Sequence, residues 1–256
     1  MEFIHTAFIA FLSRKQPPSL LLAYMLIDEL LTYLFDGQPH PLDAPMGIWL
    51  SSSRRFTAFV NTFHSKIRKK LRATQGTESL IDLRLELETA YLLLHEPALS
   101  VVYEPLPIRQ SRGPDFAVTY TTSTVFMMEV TRLRTIQDLE ERLADMVCSK
   151  LAQLPPKQGN VLLVGVETLT LTPDALRAAM LQLQQRVERA DAGFVQRYGF
   201  RDRADFFQHF GRLSELLVRG SELKSGEPVI GWINPRAKRP LPGKVRTALH
   251  RSQATY

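Results

Sequence analysis

Cysteine is nearly absent: Cys148 is the single one in 256 residues. One thiol excludes an intrachain disulfide and a cysteine-built metal cluster, and it fits a reducing, intracellular, cytoplasmic setting. The P-loop, HExxH, GxSxG and CxxC patterns are missing too, which argues against a P-loop ATPase, a zincin, an α/β-hydrolase and a zinc module. The six histidines, His5, His40, His64, His95, His209 and His250, show no ligand-like spacing. Long apolar runs are lacking as well. Ala7 to Leu12 is short and follows Glu2 without a cationic lead, which makes a poor secretory signal. Leu20 to Ile27 is cut off by Asp28 and Glu29, well short of the ~20 residues that span a bilayer. The expectation is a soluble protein with no membrane partner.

Acid is missing from two stretches. Between Asp43 and Glu78 no Asp or Glu occurs, while Arg54, Arg55, Lys66, Arg68, Lys69, Lys70 and Arg72 do. After Glu227 the same holds for Arg236, Lys238, Arg239, Lys244, Arg246 and Arg251. These thirteen cations exceed the whole net charge of +6, so the rest of the chain is acidic. Cations gathered in this way suit a polyanion such as nucleic acid, and equally suit solvated helix faces and a loose tail. Arg54, Arg55, Lys66, Lys69, Lys70, Arg236, Lys238 and Arg239 are the candidate phosphate contacts.

Hydrophobic periodicity divides the chain into a helical region, residues 1–75, and an α/β region, residues 76–256. Ser19 after Pro17-Pro18 reads as the cap of a helix reaching about Phe35, and Gly37 to Pro45 as a loop. Arg55 to Arg72 is a helix with Phe56, Phe59, Val60, Phe63 and Ile67 on one side. Glu78 to His95 carries two apolar stripes, with Glu88 sheltered between them and Glu86 turned toward Asp82 and Leu93. Ser100 to Ile108 reads as a strand that Pro105 and Pro107 confine to an edge or an early end. Ile136 to Leu154 is a helix stopped by Pro155-Pro156, and Val161 to Val166 is a strand covered on both faces. It returns beside its predecessor through a right-handed crossover. Beyond it the pattern predicts helices near Pro173 to Arg197 and Arg203 to Arg219, a strand at Val229 to Ile233, and a basic, proline-rich loop within Gly231 to Pro242.

The stretch Gly113 to Arg134, GPDFAVTYTTSTVFMMEVTRLR, holds two β-branched and aromatic halves around the polar run Thr121 to Thr124, and reads as a hairpin. Asp115 and Glu129 lie equally far from Thr122, so a tight loop centred there sets them opposite each other on one face. Directly paired residues have Cβ atoms roughly 5 Å apart. Two carboxylates at that range repel, and either one takes a proton or a cation sits between them. A hard, oxygen-seeking ion such as Mg²⁺ is the natural candidate.

This pattern resembles the PD-(D/E)XK nuclease superfamily. Its motif is a Pro-Asp entering one strand and then an acid, any residue and a lysine on the next. Here it reads Pro114-Asp115, then Glu129-Val130-Thr131, with Thr131 where the lysine would stand. The order helix, strand, strand, strand, helix, strand over residues 78–166 is similar to the family's αβββαβ core, so the resemblance implies a restriction-endonuclease-like α/β fold with a mixed sheet. It also implies Mg²⁺ or Mn²⁺ held by Asp115 and Glu129, with Val130's carbonyl as a further donor. In the family an acid on the preceding helix often completes the metal site; that role falls to Glu88, with Glu86 in reserve and a Glu88–Arg84 pair as the purely structural alternative.

Members of the superfamily are known with the lysine moved to the next helix, and Lys150 is the candidate for it, with Gln153 one turn on. Lys150 lies within the apolar stripe of Ile136, Leu139, Leu143, Val147 and Leu154, where an ammonium must reach solvent along its stem or find a carboxylate. The alternative is a cation near a helix C-terminus, favourable by roughly 0.3–1 kcal/mol. Arg132 and Arg134 point away from the face that holds Glu129. The implied function is metal-dependent phosphodiester hydrolysis on nucleic acid, DNA ahead of RNA, with a homodimer as an allowed assembly. The second reading is a degenerate nuclease fold that binds nucleic acid or a protein partner without cutting.

Overall fold

The computed structural model describes residues 20–105, 113–134, 138–189, 192–221 and 228–253. The expected cap Ser19, the end of the expected strand at Ile108 and the helix start at Ile136 lie outside them. Nine helices are described: α1 (Leu20–Phe35), α2 (Asp43–Ser52), α3 (Arg54–Ala73), α4 (Gly76–His95), α5 (Leu139–Leu151), α6 (Pro173–Glu188), α7 (Ala192–Arg197), α8 (Arg203–Phe210) and α9 (Gly243–Gln253). Among the described residues no helix is long and apolar enough to cross a membrane.

Six strands, β1 (Leu99–Tyr103), β2 (Phe116–Tyr120), β3 (Thr124–Leu133), β4 (Gly159–Val166), β5 (Leu213–Gly220) and β6 (Ile230–Ile233), form one mixed sheet in sequence order. β1, β2 and β3 run as an antiparallel meander, β3, β4 and β5 are parallel, and β6 is antiparallel to β5. Alternation along the strands sends side chains into two separate cores. Val161, Leu163 and Leu217 join one with α1 to α4 and α9, while Leu162, Val164, Leu216 and Val218 join the other with α5 to α8. Helices thus cover both faces of the sheet. α1 to α3 share their core with α4 and β1 to β3, so packing is continuous across residue 75.

Three stretches depart from the expectation. Leu213–Gly220 is not the end of a helix that starts at Arg203. The helix stops at Phe210 and the chain re-enters the sheet as β5, with every residue buried. Leu, Glu and Arg favour helix in isolation, and the two-faced cover available at the sheet overrides that preference. Asp43 to Pro45, expected in a loop, opens α2. The basic tail is not loose: Val245, Ala248 and Leu249 of α9 belong to the first core.

Gly165 on β4 sets how close α4 comes to the sheet. A Cβ there would meet Leu85 Cδ2 at 2.5 Å, so the missing side chain admits Leu85 and with it the α4 turn that carries Glu86. Gly165→Ala is expected to lower unfolding free energy by about 1–3 kcal/mol through overpacking. Urea denaturation checks this, and an unchanged midpoint would mean that α4 is not seated on β4 in this way.

Candidate active site

The β2–β3 ladder closes at the pair Phe116 and Met128. The ladder has the register that equal spacing about Thr122 predicts, and Asp115 follows just outside it, beside β3 at Val130. Beyond that point β3 continues against β4 as far as Leu133, so a fork opens where β2 has ended. Val130 N donates to Asp115 Oδ2 at 2.8 Å, so the carboxylate replaces the strand partner that this amide lacks. The carbonyl of Val130 leaves the strand on the same side.

Glu129 is 5% exposed and turned to the face covered by α5. There Lys150 Nζ donates to its Oε1 at 2.7 Å. Glu129 Oε2 is buried and accepts no hydrogen bond among the described residues. From the other layer, α3 supplies Lys70 and α4 supplies Glu86. Lys70 Nζ lies 2.6 Å from both Glu86 oxygens, 3.6 Å from Asp115 Oδ1 and 3.7 Å from Glu104 Oε1. The Tyr103 hydroxyl donates to Glu86 Oε1 at 2.5 Å. All of these groups except Tyr103 line a cleft of about 720 Å³, with Lys66 and Lys69 of α3, Thr131, Arg132 and Arg134 of the β3 end, and Gln153 in its walls.

Burial dominates the electrostatics. It pushes Glu86 up to about 8, helped by the Asp115 charge and opposed by Lys70. It pushes Glu129 up to about 7, again helped by Asp115 and opposed by Lys150. Asp115 is raised for the same first reason, against the pull of Lys70 and of the Val130 amide. Burial would depress the Lys70 ammonium, but Glu86 and Asp115 outweigh it and leave the pKa above its ordinary value.

Both glutamates therefore hold a proton more tightly in the folded chain than at the ordinary value of 4.5. Their contribution to stability is full below that value and is lost as the pH climbs through about 7 and 8. In chelator, melting temperature is expected to fall between pH 5 and pH 8, and to fall less for Glu129→Gln. Parallel pH profiles for the two proteins, followed by circular dichroism, would refute the assignment.

The eight candidate phosphate contacts separate. Lys66, Lys69 and Lys70 line the cleft, and Arg54, Arg55, Arg236, Lys238 and Arg239 do not. Arg55 is committed to the chain itself, donating to the carbonyls of Leu94, Glu96 and Leu99. Arg236 pairs with Glu188 at 2.6 Å and lies over Phe207, while Lys238 N donates to Gly211 O and Arg239 O accepts from Ser214 Oγ. That loop therefore packs at the start of β5, away from the fork. Arg132 is bound to Asp82 and Glu78 of α4, and Arg134 to the same two acids, which neutralises the wall they form.

Glu88 is not in the cleft. It is 1% exposed and faces β5, where Arg219 Nη1 reaches its Oε2 at 3.0 Å. The acid that α4 turns toward Asp115 is the reserve candidate, Glu86, on the Asp82 side of the helix. Glu104 and Tyr103 were not signalled by the sequence: both depend on β1 ending beside Asp115, where Glu104 N donates to Asp115 O at 2.7 Å.

Mg²⁺ or Mn²⁺ can be tested against these donors. Among the described residues no three His, Cys, Asp or Glu side chains converge on one ion position. Asp115, the free Oε2 of Glu129 and Val130's carbonyl are all hard oxygen donors, and Mg²⁺ commonly takes one or two carboxylates and keeps several waters. By their chemistry, though not by a converging geometry, these are hard-cation donors. Compared with family models, with curated proteins and with solved structures, the chain matches none of them.

Proposed function

We propose that this chain is a metal-dependent nuclease that hydrolyses phosphodiester bonds, in DNA ahead of RNA. The succession from α4 through β1, β2 and β3 to α5 and β4 supports a restriction-endonuclease-like core of the PD-(D/E)XK type. The observation that carries the reading is Glu129: a buried carboxylate with one oxygen on Lys150 and the other unpartnered, next to Asp115 at the mouth of a cleft. An unsatisfied buried carboxylate oxygen is costly, and a cation shared with Asp115 relieves it.

Asp115 and Glu129 would hold the ion, with Asp115 kept in place by the Val130 amide. Bound there, Mg²⁺ lowers the pKa of a water and neutralises charge developing on the phosphate. Lys150 stands where Thr131 leaves the motif without an ammonium, and it orients Glu129 and the attacking water. Lys69 receives the flanking phosphates, with Lys66 beside it held on the Tyr103 and Glu104 carbonyls, which gives affinity without base readout.

Purified protein should nick plasmid DNA with Mg²⁺ or Mn²⁺ and not in chelator, and Asp115→Ala should abolish nicking. Binding of nucleic acid with no cutting under either metal would instead assign the cleft to a non-catalytic binding module.

A further inference from the structure

Lys70 differs from the other cations of its helix. Its ammonium is gripped symmetrically by both oxygens of Glu86, which is 6% exposed and fixed by the Tyr103 hydroxyl, with Asp115 and Glu104 within 4 Å. An ammonium among three carboxylates occupies the kind of place a hard cation takes. The distances of 2.6 to 3.7 Å are those of an ammonium, longer overall than the roughly 2.0–2.6 Å of Mg²⁺ or Ca²⁺ ligands, so with the lysine present no ion site forms there.

Charge points the same way. Above the pH at which Glu86 and Glu129 ionise, Glu86, Glu104, Asp115 and Glu129 bring four negative charges, and the two ammoniums in contact with them, Lys70 and Lys150, return two positive ones. The remainder equals the charge of one divalent ion, and Glu129 Oε2 at the fork is the buried oxygen still waiting for it. Asp115 is common to both positions, with Glu129 on one side and Glu86 and Glu104 on the other.

We propose that Lys70 is a built-in counter-cation that fills a second cation position on Glu86, Glu104 and Asp115, so that the cleft takes one divalent ion and not two. The helix that carries Lys66 and Lys69 thereby sets the metal stoichiometry. The fork ion rests on the function proposed above; the position held by Lys70 does not.

Mn²⁺ titrated into the full-length chain at pH 8, with free Mn²⁺ counted by electron paramagnetic resonance, tests both. Wild type should bind one ion and Lys70→Met two, the methionine keeping an apolar stem beside Tyr103. The added ion should disappear in Lys70→Met/Glu86→Gln. Lys70→Arg, which retains the charge, should bind one. No more ions in folded Lys70→Met than in wild type, or two in wild type or in Lys70→Arg, would overturn the proposal. No ion in wild type with one in Lys70→Met would sustain the Lys70 position while removing the fork ion on which the nuclease reading stands.

Discussion

Arg219→Met is expected to lower the free energy of unfolding by about 3–5 kcal/mol, the range for breaking a buried ion pair by removing one member. Arg219 is 4% exposed on β5 and Glu88 1% exposed on α4. The guanidinium donates to Glu88 Oε2, to Thr89 Oγ1 and to the carbonyl of Gly220, tying the middle of α4 to the end of β5. Removing it takes the guanidinium away from a buried carboxylate. Glu88→Met in the same chain should recover most of the loss, because a pair of well-packed apolar residues replaces buried charges at little cost. Urea denaturation gives the stability, and cleavage normalised to folded protein should stay at the wild-type level throughout. If Glu88→Gln instead halted cleavage at unchanged stability, Glu88 would belong to the active site after all.

Lys150→Met carries the second large effect, a fall in single-turnover cleavage of about 10²–10⁴-fold, the usual contribution of a positioned proton-transfer group. Its ammonium reaches Glu129 along a partly exposed stem, so the fold should tolerate the loss better than it tolerates Arg219→Met. Lys150→Arg should not restore the rate, because a planar five-donor fork cannot reproduce a compact ammonium at a 2.7 Å contact. Affinity for nucleic acid in chelator should hardly change. Equal losses in affinity and rate would reduce Lys150 to a general electrostatic contributor and remove it from the chemistry.

The parts of this site that could be read from the sequence are those fixed by local geometry. The register that sets Asp115 beside β3 follows from symmetric spacing about a short polar turn, since register in a hairpin is set by its loop. Lys150 was legible because a charge inside an apolar helical stripe must find a partner. Glu88 was misplaced for a reason that lies elsewhere in the chain. Sheltering between two stripes correctly located it in the interior, but its partner sits on Leu213–Gly220, which reads as helix when isolated. With Arg219 assigned to a helix, nothing distinguished the acid that faces β5 from the acid that faces the fork. Lys70 was legible as one cation in a run. Its place among three carboxylates arises from the packing of α3 on α4 and from where β1 ends, and no periodicity encodes either.

The salt bridges of Arg132 and Arg134 to Asp82 and Glu78 make the cleft electrically one-sided. Two guanidiniums that would attract a polyanion are already compensated from below, so the long-range field at the mouth comes from Lys66 and Lys69 on the α3 side. On the nuclease reading, an incoming strand would be drawn along a single wall. Its capture would then displace few counterions, and its affinity should weaken only gently as ionic strength rises.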